Sequence, residues 1–238
     1  MKPIYKPKGR AGEYGDLALN IYTECNHGCT YCFAQSMAKR FGKPWMGDVR
    51  PREGIVEATV RQLDREGITG KLIHLCFSCD PYPAEIDTTP TREIIKAIKA
   101  AGNNVQILTK GGFRAERDFD LLDGGDRFGV SYAGLLNCHS EPNAEEPGAA
   151  PDSDRLISLA EAKGRGIGTW ISCEPVLNAE GIYQIICFGN YIHHFKIGKL
   201  NYEPSDINWL EFGKECERLC RAYGRDYYIK DDLRKEMG

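Results

Sequence analysis

Apolar positions along the chain fall into short runs that alternate with stripes at helical spacing. Leu17 to Ile21 has the length of a buried strand. Val56, Val60 and Leu63 lie three to four apart and predict a helix that Gly67 and Gly70 end, and Leu72 to Phe77 predicts the next strand. The alternation continues with a Pro90-led helix carrying Ile94, Ile95, Ile98 and Ala101 up to Gly102, then a strand over Val105 to Leu108. A short helix is expected over Asp118 to Leu122, followed by a strand at Phe128 to Tyr132. Asp152 to Lys163 reads as a helix with Leu156, Leu159 and Ala160 turned inward, before strands at Gly168 to Cys173 and Phe195 to Ile197. Trp209, Phe212, Cys216, Leu219, Cys220 and Tyr223 form the apolar face of a last long helix.

Six strands alternating with helices imply parallel neighbours, because parallel strands need crossover connections and these are usually helical. The expected fold is α/β, a partial (β/α)6 TIM-like barrel of parallel strands. The chain is expected to be one domain over 1–238, with a core over about 15–200 and a C-terminal helical extension over 205–238. Asn137 to Pro151 predicts an exposed loop after the fourth strand, on the face where barrel enzymes build active sites.

The chain has 238 residues, 42% hydrophobic and 27% charged, and a formal net charge of −3, so neither disorder nor a global footprint for nucleic acid is indicated. No apolar stretch reaches the length of a membrane span, and the basic start of the chain is not followed by an apolar segment, so a cytoplasmic location without membrane contact is expected. A reducing compartment disfavours disulfides, which turns the ten cysteines toward metal or redox chemistry. Lys39, Arg40, Lys43, Arg50 and Arg52 follow the first cysteines with few acids between them; they read equally as a solvated loop or as a rim that contacts phosphates.

The strongest pattern is Cys25-Asn-His-Gly-Cys29-Thr-Tyr-Cys32, three thiols in eight residues directly after the first strand. Three cysteines suit an iron-sulfur cubane, whose remaining iron then has no protein ligand and is open to another molecule. Gly28 lets the loop wrap tightly. A structural zinc site is the competing reading, but it needs a fourth ligand, and His27 between two of the cysteines is poorly placed to supply one.

This triplet, with Tyr31 before its last cysteine, resembles the signature of the radical S-adenosylmethionine superfamily. The similarity extends to its spore photoproduct lyase-like branch through Cys76-Phe-Ser-Cys-Asp-Pro-Tyr82, Thr109-Lys110, Val130-Ser131 and Asp154-Arg155-Leu156. The resemblance implies a [4Fe-4S] cluster on Cys25, Cys29 and Cys32 that reductively cleaves S-adenosylmethionine. The 5′-deoxyadenosyl radical so formed would take hydrogen from a substrate such as a nucleobase or nucleic acid lesion. It further implies Tyr31 near the adenine, with Ser78, Lys110 and Ser131 on the cofactor and an external electron donor such as flavodoxin or ferredoxin. Lys110 also has a physical reason to be there, since a cation at a strand end can pair with the methionine carboxylate.

In the lyase branch a cysteine after the second strand returns hydrogen to the product radical, and both Cys76 and Cys79 stand near that place; strand alternation would put them on opposite faces. Glu174, after the fifth strand, is a candidate cofactor contact at the barrel mouth or a turn residue before Pro175. Peptide or tRNA modification, and a non-enzymatic iron-sulfur or zinc module, are the alternatives to lesion chemistry. Cys138, Cys173 and Cys187 stand alone in the sequence, Cys216 and Cys220 read as packing, and His193-His194 read as structural or as facing the mouth.

Overall fold

The computed structural model describes residues 2–45, 47–136 and 143–238. Seven strands, β1 (Leu17–Leu19), β2 (Leu72–Leu75), β3 (Asn104–Thr109), β4 (Arg127–Ser131), β5 (Gly168–Cys173), β6 (His194–Ile197) and β7 (Asp226–Ile229), form one all-parallel sheet in sequential order. Helices α1 (Phe33–Arg40) and α2 (Ile55–Arg65) follow β1, and α3 (Thr89–Ala100) follows β2. A 3₁₀ segment (Gly112–Leu121) follows β3 where the short helix was expected. Then α4 (Asp152–Gly164), α5 (Ala179–Phe188), α6 (Trp209–Ala222) and α7 (Asp231–Met237) each follow one further strand. The α/β partial barrel is as expected, with one strand more, and β1 and β7 remain its two unjoined edges.

The additional strand lies in the stretch expected to be a helical extension, which instead reads α6, β7, α7. Asp226-Tyr-Tyr-Ile229 has an exposed acid and two half-buried tyrosines, too short a pattern to show a period. The buried face of α2 is also rotated from expectation: Ile55, Ala58, Thr59, Gln62 and Leu63 are buried while Val60 is 49% exposed. Gln62 makes the difference, since its amide exchanges two 2.8 Å hydrogen bonds with the backbone of Ile4 and so docks the N-terminal segment.

That segment covers both open edges. Tyr5 pairs antiparallel with Ala18 on β1, and further along Glu13 reaches β7, accepting from the Asp231 amide at 2.9 Å and pairing with Lys230 at 3.3 Å. Tyr14 enters the barrel beside His74, Phe77 and Trp170, with ring centroids 5.6, 5.6 and 5.9 Å away, and the ammonium of Lys196 lies 4.5 Å from its ring. Gln106 donates to Nδ1 of His74 at 3.0 Å, so the neutral ring carries its proton on Nε2.

Burial, reinforced by Lys196, holds the His74 pKa down at about 3, against an ordinary 6.5. As pH falls below 6.5 the unfolded chain takes up this proton and the folded chain does not, so stability declines toward about pH 3. The contribution is up to about 1.4 kcal/mol per pH unit. Urea unfolding of His74→Phe at several pH values in this window should show a flatter decline than the parent; an equal slope would mean that His74 is already charged in the fold.

Candidate active site at the carboxyl ends of the strands

Every candidate site residue lies at or just beyond the carboxyl end of a strand, over five consecutive strands. The cysteine triplet follows β1, Cys76, Ser78 and Cys79 follow β2, Lys110 follows β3, Ser131 ends β4 and Glu174 follows β5. Parallel strands put these ends on one face, where barrel enzymes hold their chemistry.

The cysteine loop is held from both sides by backbone and amide contacts. Residues 143–151 form a loop as expected, but one only partly exposed, with Ala144 and Pro147 exposed and Glu146 and Ala150 buried; 137–142 lie outside the described residues. Thr30 N donates to the Glu145 carbonyl at 3.0 Å and Gly148 N to the His27 carbonyl at 2.8 Å, which lays this segment along the cysteine loop. The approach is close enough that a Cβ on Gly148 would stand 2.4 Å from the Asn26 carbonyl, and Gly28 is held at φ +65 against Pro147. On the other side Asn26 donates to the Ala84 carbonyl at 2.7 Å, and Asn20 accepts from the amides of Phe77 and Ser78 at 2.7 and 2.9 Å.

Asp80 is the hub between β2 and β3. Its carboxylate accepts from the Tyr82 amide at 2.8 Å, the Thr109 hydroxyl at 2.6 Å and the Lys110 amide at 2.8 Å, and it faces Nδ1 of His27 at 3.6 Å. His27 is buried, and Arg114 donates to its Nε2 at 3.2 Å, so it serves as a loop support. Burial lowers the His27 pKa to about 4 against the pull of Asp80.

Between β3 and β4 the hub is Glu146. The Tyr31 hydroxyl and the Arg155 guanidinium both donate to its carboxylate, and the Lys110 ammonium lies 4.0 Å from it and 5.5 Å from the Tyr31 ring centroid. Arg155 also donates to the Ala150 carbonyl at 2.7 Å and the Ser131 carbonyl at 3.0 Å. Tyr31, Lys110 and Ser131 are thereby drawn together. Asp80 stood in a quoted motif without a role, and Glu146 stood in a segment expected to be an exposed loop, with no signal in the sequence for its burial.

Cys76 does not continue β2. Its φ of +68 breaks the strand after Leu75, so alternation does not apply, and the Cys76 and Cys79 thiols influence one another electrostatically. Burial, and then Cys79, push the Cys76 thiol pKa up. The Ser131 hydroxyl donates to the Glu174 carbonyl at 3.3 Å. The Glu174 carboxylate accepts from Arg10 at 3.0 Å, Tyr14 at 3.1 Å, Asn201 at 3.3 Å and Lys230, binding the N-terminal segment to the ends of β5 and β7. Cys173, Cys216 and Cys220 are buried neighbours in the core with thiol pKa values raised by burial; Cys138 lies outside the described residues. His194 opens β6, at the opposite end of the barrel from the site, and pairs with Asp226 at 2.7 Å.

Among the described residues no three His, Cys, Asp or Glu side chains converge as ligands of a single metal ion. The three thiols nonetheless stand on one tight loop of eight residues, in which the Cys32 amide donates to the Cys29 carbonyl at 3.1 Å. A cubane does not require convergence, since each cysteine binds a different iron, and the donor set fits that group. Burial raises the Cys25 and Cys29 thiols to about 12 and about 11, while Lys110 favours both thiolates. Beside the loop lies a cavity of about 620 Å³ bordered by Thr30, Tyr31, Leu135, Val176, Leu200 and Ile207.

The same fold is found in solved structures of spore photoproduct lyase and of SuiB. Spore photoproduct lyase complexed with dinucleoside spore photoproduct superposes with a TM-score of 0.69 over 97% of this chain and 79% of that one, at 14% identity. SuiB of Streptococcus suis bound to S-adenosylmethionine superposes with a TM-score of 0.62 over 89% of this chain and 50% of that one, at 15% identity. In sequence the chain is 26% identical over 188 residues to the uncharacterised protein ORF301 of Acidianus two-tailed virus, covering 74% of this chain and 61% of that protein. It is 29% identical over 182 residues to the uncharacterised protein MJ0683 of Methanocaldococcus jannaschii, covering 74% of this chain and 65% of that one. The chain thus spans somewhat less than two thirds of the length of these two relatives. No protein-family model matches it.

The buried Arg155 should carry the local stability of the site. Arg155→Leu leaves Glu146 with only the more distant Lys110 ammonium and is expected to cost about 3–5 kcal/mol in urea unfolding. Thr30→Ala, at an exposed contact of the same segment, should cost less than about 1 kcal/mol. Similar losses for the two variants would contradict the central place given to Arg155.

Proposed function

We propose that this chain is a radical S-adenosylmethionine enzyme in which Cys25, Cys29 and Cys32 hold a [4Fe-4S] cluster. The observation that carries the reading is the docking of the cysteine triplet, beside Lys110 and Asp80, on the carboxyl ends of a parallel partial barrel. When bound, the cluster would supply the electron that breaks a carbon-sulfur bond of S-adenosylmethionine, giving a 5′-deoxyadenosyl radical that takes hydrogen from a substrate.

The chain's own residues then position and enclose. Lys110, fixed at its backbone by Asp80, presents its ammonium to the methionine carboxylate. Tyr31, tethered by Glu146, borders the adenine, and Ser78 and Ser131 offer hydroxyls at the neighbouring strand ends. Glu174 acts by holding the N-terminal segment to the carboxyl end of β5. Cys76 and Cys79 form the thiol pair from which hydrogen returns to a product radical, with a nucleobase or nucleic acid lesion as the substrate class. The likeness to a lyase complexed with a dinucleoside spore photoproduct supports that class.

Anaerobic reconstitution with iron and sulfide, reduction with dithionite and chromatography for 5′-deoxyadenosine test the reading. The parent should bind about four irons and form 5′-deoxyadenosine. Cys29→Ala should lose both and keep its fold by circular dichroism; full iron and activity in that variant would refute the ligand assignment. Cys76→Ala should keep its iron and its 5′-deoxyadenosine while altering the product spectrum from a thymine-lesion oligonucleotide, and an unchanged spectrum would return Cys76 to a packing role.

A further inference from the structure

At the end of the barrel opposite the cysteine loop, the amino ends of the strands surround a second cavity of about 560 Å³, a size suited to a small molecule. The N-terminal segment over 12–16 closes one side of it, and the rest of its wall comes from the first residues of the strands. None of the candidate site residues borders it. The six residues of β5 alone set its two ends about 16 Å apart, so the two cavities are separate places in the barrel.

Three lining residues, Lys71, Arg127 and Lys196, are cations, and among the described residues none of them has a carboxylate within ion-pair distance. Lys71 and Arg127 are exposed at the rim, whereas Lys196 is 8% exposed. The Lys196 ammonium has three protons to donate. Its neighbours are the Glu13 carbonyl, to which it donates, and the rings of Tyr14 and Tyr228, with centroids 4.5 and 5.3 Å away. A carbonyl and two rings carry no net charge, so this buried cation is short of counter-charge. The acids of the lining do not make up the deficit. The Glu13 carboxylate pairs with Lys230 at 3.3 Å and that of Asp226 with His194 at 2.7 Å, which leaves Asp16 at the rim. Close by, Nε2 of His74 is a buried N–H without an acceptor; its ring centroid is 5.6 Å from that of Tyr14 and 6.3 Å from that of Trp170, two residues of the wall.

We infer that the cavity at the amino ends of the strands is a binding site for a small phosphate-bearing molecule, held by Lys196 inside and by Lys71 and Arg127 at the rim. The three cations come from the start of β2, from β4 and from β6. A phosphate presents oxygens in several directions and carries close to two negative charges, so it can meet cations from more than one strand; a lone carboxylate is planar and carries one. The same surplus of positive charge disfavours a metal cation. This site stands apart from the radical chemistry proposed above and does not depend on it.

Calorimetric titration of the full chain with inorganic pyrophosphate at low salt tests the assignment. The parent should show a single saturable site, and Arg127→Gln and Lys196→Met should each weaken it by about tenfold or more. Arg127 is exposed and has no hydrogen bond to another side chain, so its variant keeps the fold even if the loss of Lys196 loosens the segment at Glu13; circular dichroism checks both. Lys110→Gln, at the other end of the barrel, should bind as the parent does. No saturable heat from the parent at millimolar pyrophosphate overturns the site, and so does parent-like affinity in either cavity variant. A loss confined to Lys110→Gln also overturns it, by placing the anion beside the cysteine loop. Binding of citrate in place of pyrophosphate, lost in Arg127→Gln, overturns the phosphate class and assigns the cavity to polycarboxylates.

Discussion

The guanidinium of Arg155 is the constraint on which the site depends. It is the largest fully buried side chain, and a buried cation is tolerable only where carboxylates and carbonyls surround it. Its acceptors are the Ser131 carbonyl at the end of β4 and, in the following segment, Glu146 and the Ala150 carbonyl, and it forms an ion pair with Asp152 of α4 at 3.3 Å. Satisfying the cation therefore fixes residues 146–150 over the strand ends. Burial raises the Glu146 pKa while Arg155 opposes the rise. With Glu146 in place, Tyr31 has an acceptor, and the cysteine loop is tied to a segment 115 residues further along the chain.

Asp80 does for β2 and β3 what Arg155 does for β4 and α4. Each is one buried charge whose hydrogen bonds reach two elements, and each leaves a neighbouring group aimed at the mouth: Lys110 in the first case, Tyr31 in the second. The cysteine loop adds little apolar area of its own. Its order comes from carbonyls, amides and carboxylates that would cost several kcal/mol if left unpaired, so it is specified by polar satisfaction rather than by packing.

That division explains what could be read from the chain. The runs at Leu72, Val105, Phe128 and Gly168 became strands because their apolar side chains pack, and packing leaves a period in the sequence. The triplet was legible because its chemistry is local. The seventh strand was not, since Asp226–Ile229 buries only Ile229 fully. Nor was the burial of Glu146, because its partners Tyr31 and Arg155 lie 115 and 9 residues away and no period connects them. At Cys76 the alternation rule failed where a single positive φ ended the strand, and a backbone turn of that kind at a residue other than glycine leaves no mark in composition.

The N-terminal segment settles where space remains. A partial barrel has an open side between its first and last strands, and here Glu13 and Tyr14 occupy it. Tyr14 packs on His74, Phe77 and Trp170, while Lys196 and Lys230 stand 4.5 and 4.7 Å from its ring. The two ammonium groups repel one another around this ring, and their pKa values move apart. Burial, then Lys230, lower the Lys196 pKa to about 8, whereas Tyr14 and Glu174 raise that of Lys230 against its burial. Lys230, paired with Glu13 and Glu174, holds its proton the more firmly, and Lys196 is the first of the two to lose its own, above about pH 8. This network separates two open volumes, a cavity of about 560 Å³ bordered by Tyr14, Gln106, Trp170 and Lys196 toward the amino ends of the strands and the cavity of about 620 Å³ beside the cysteine loop.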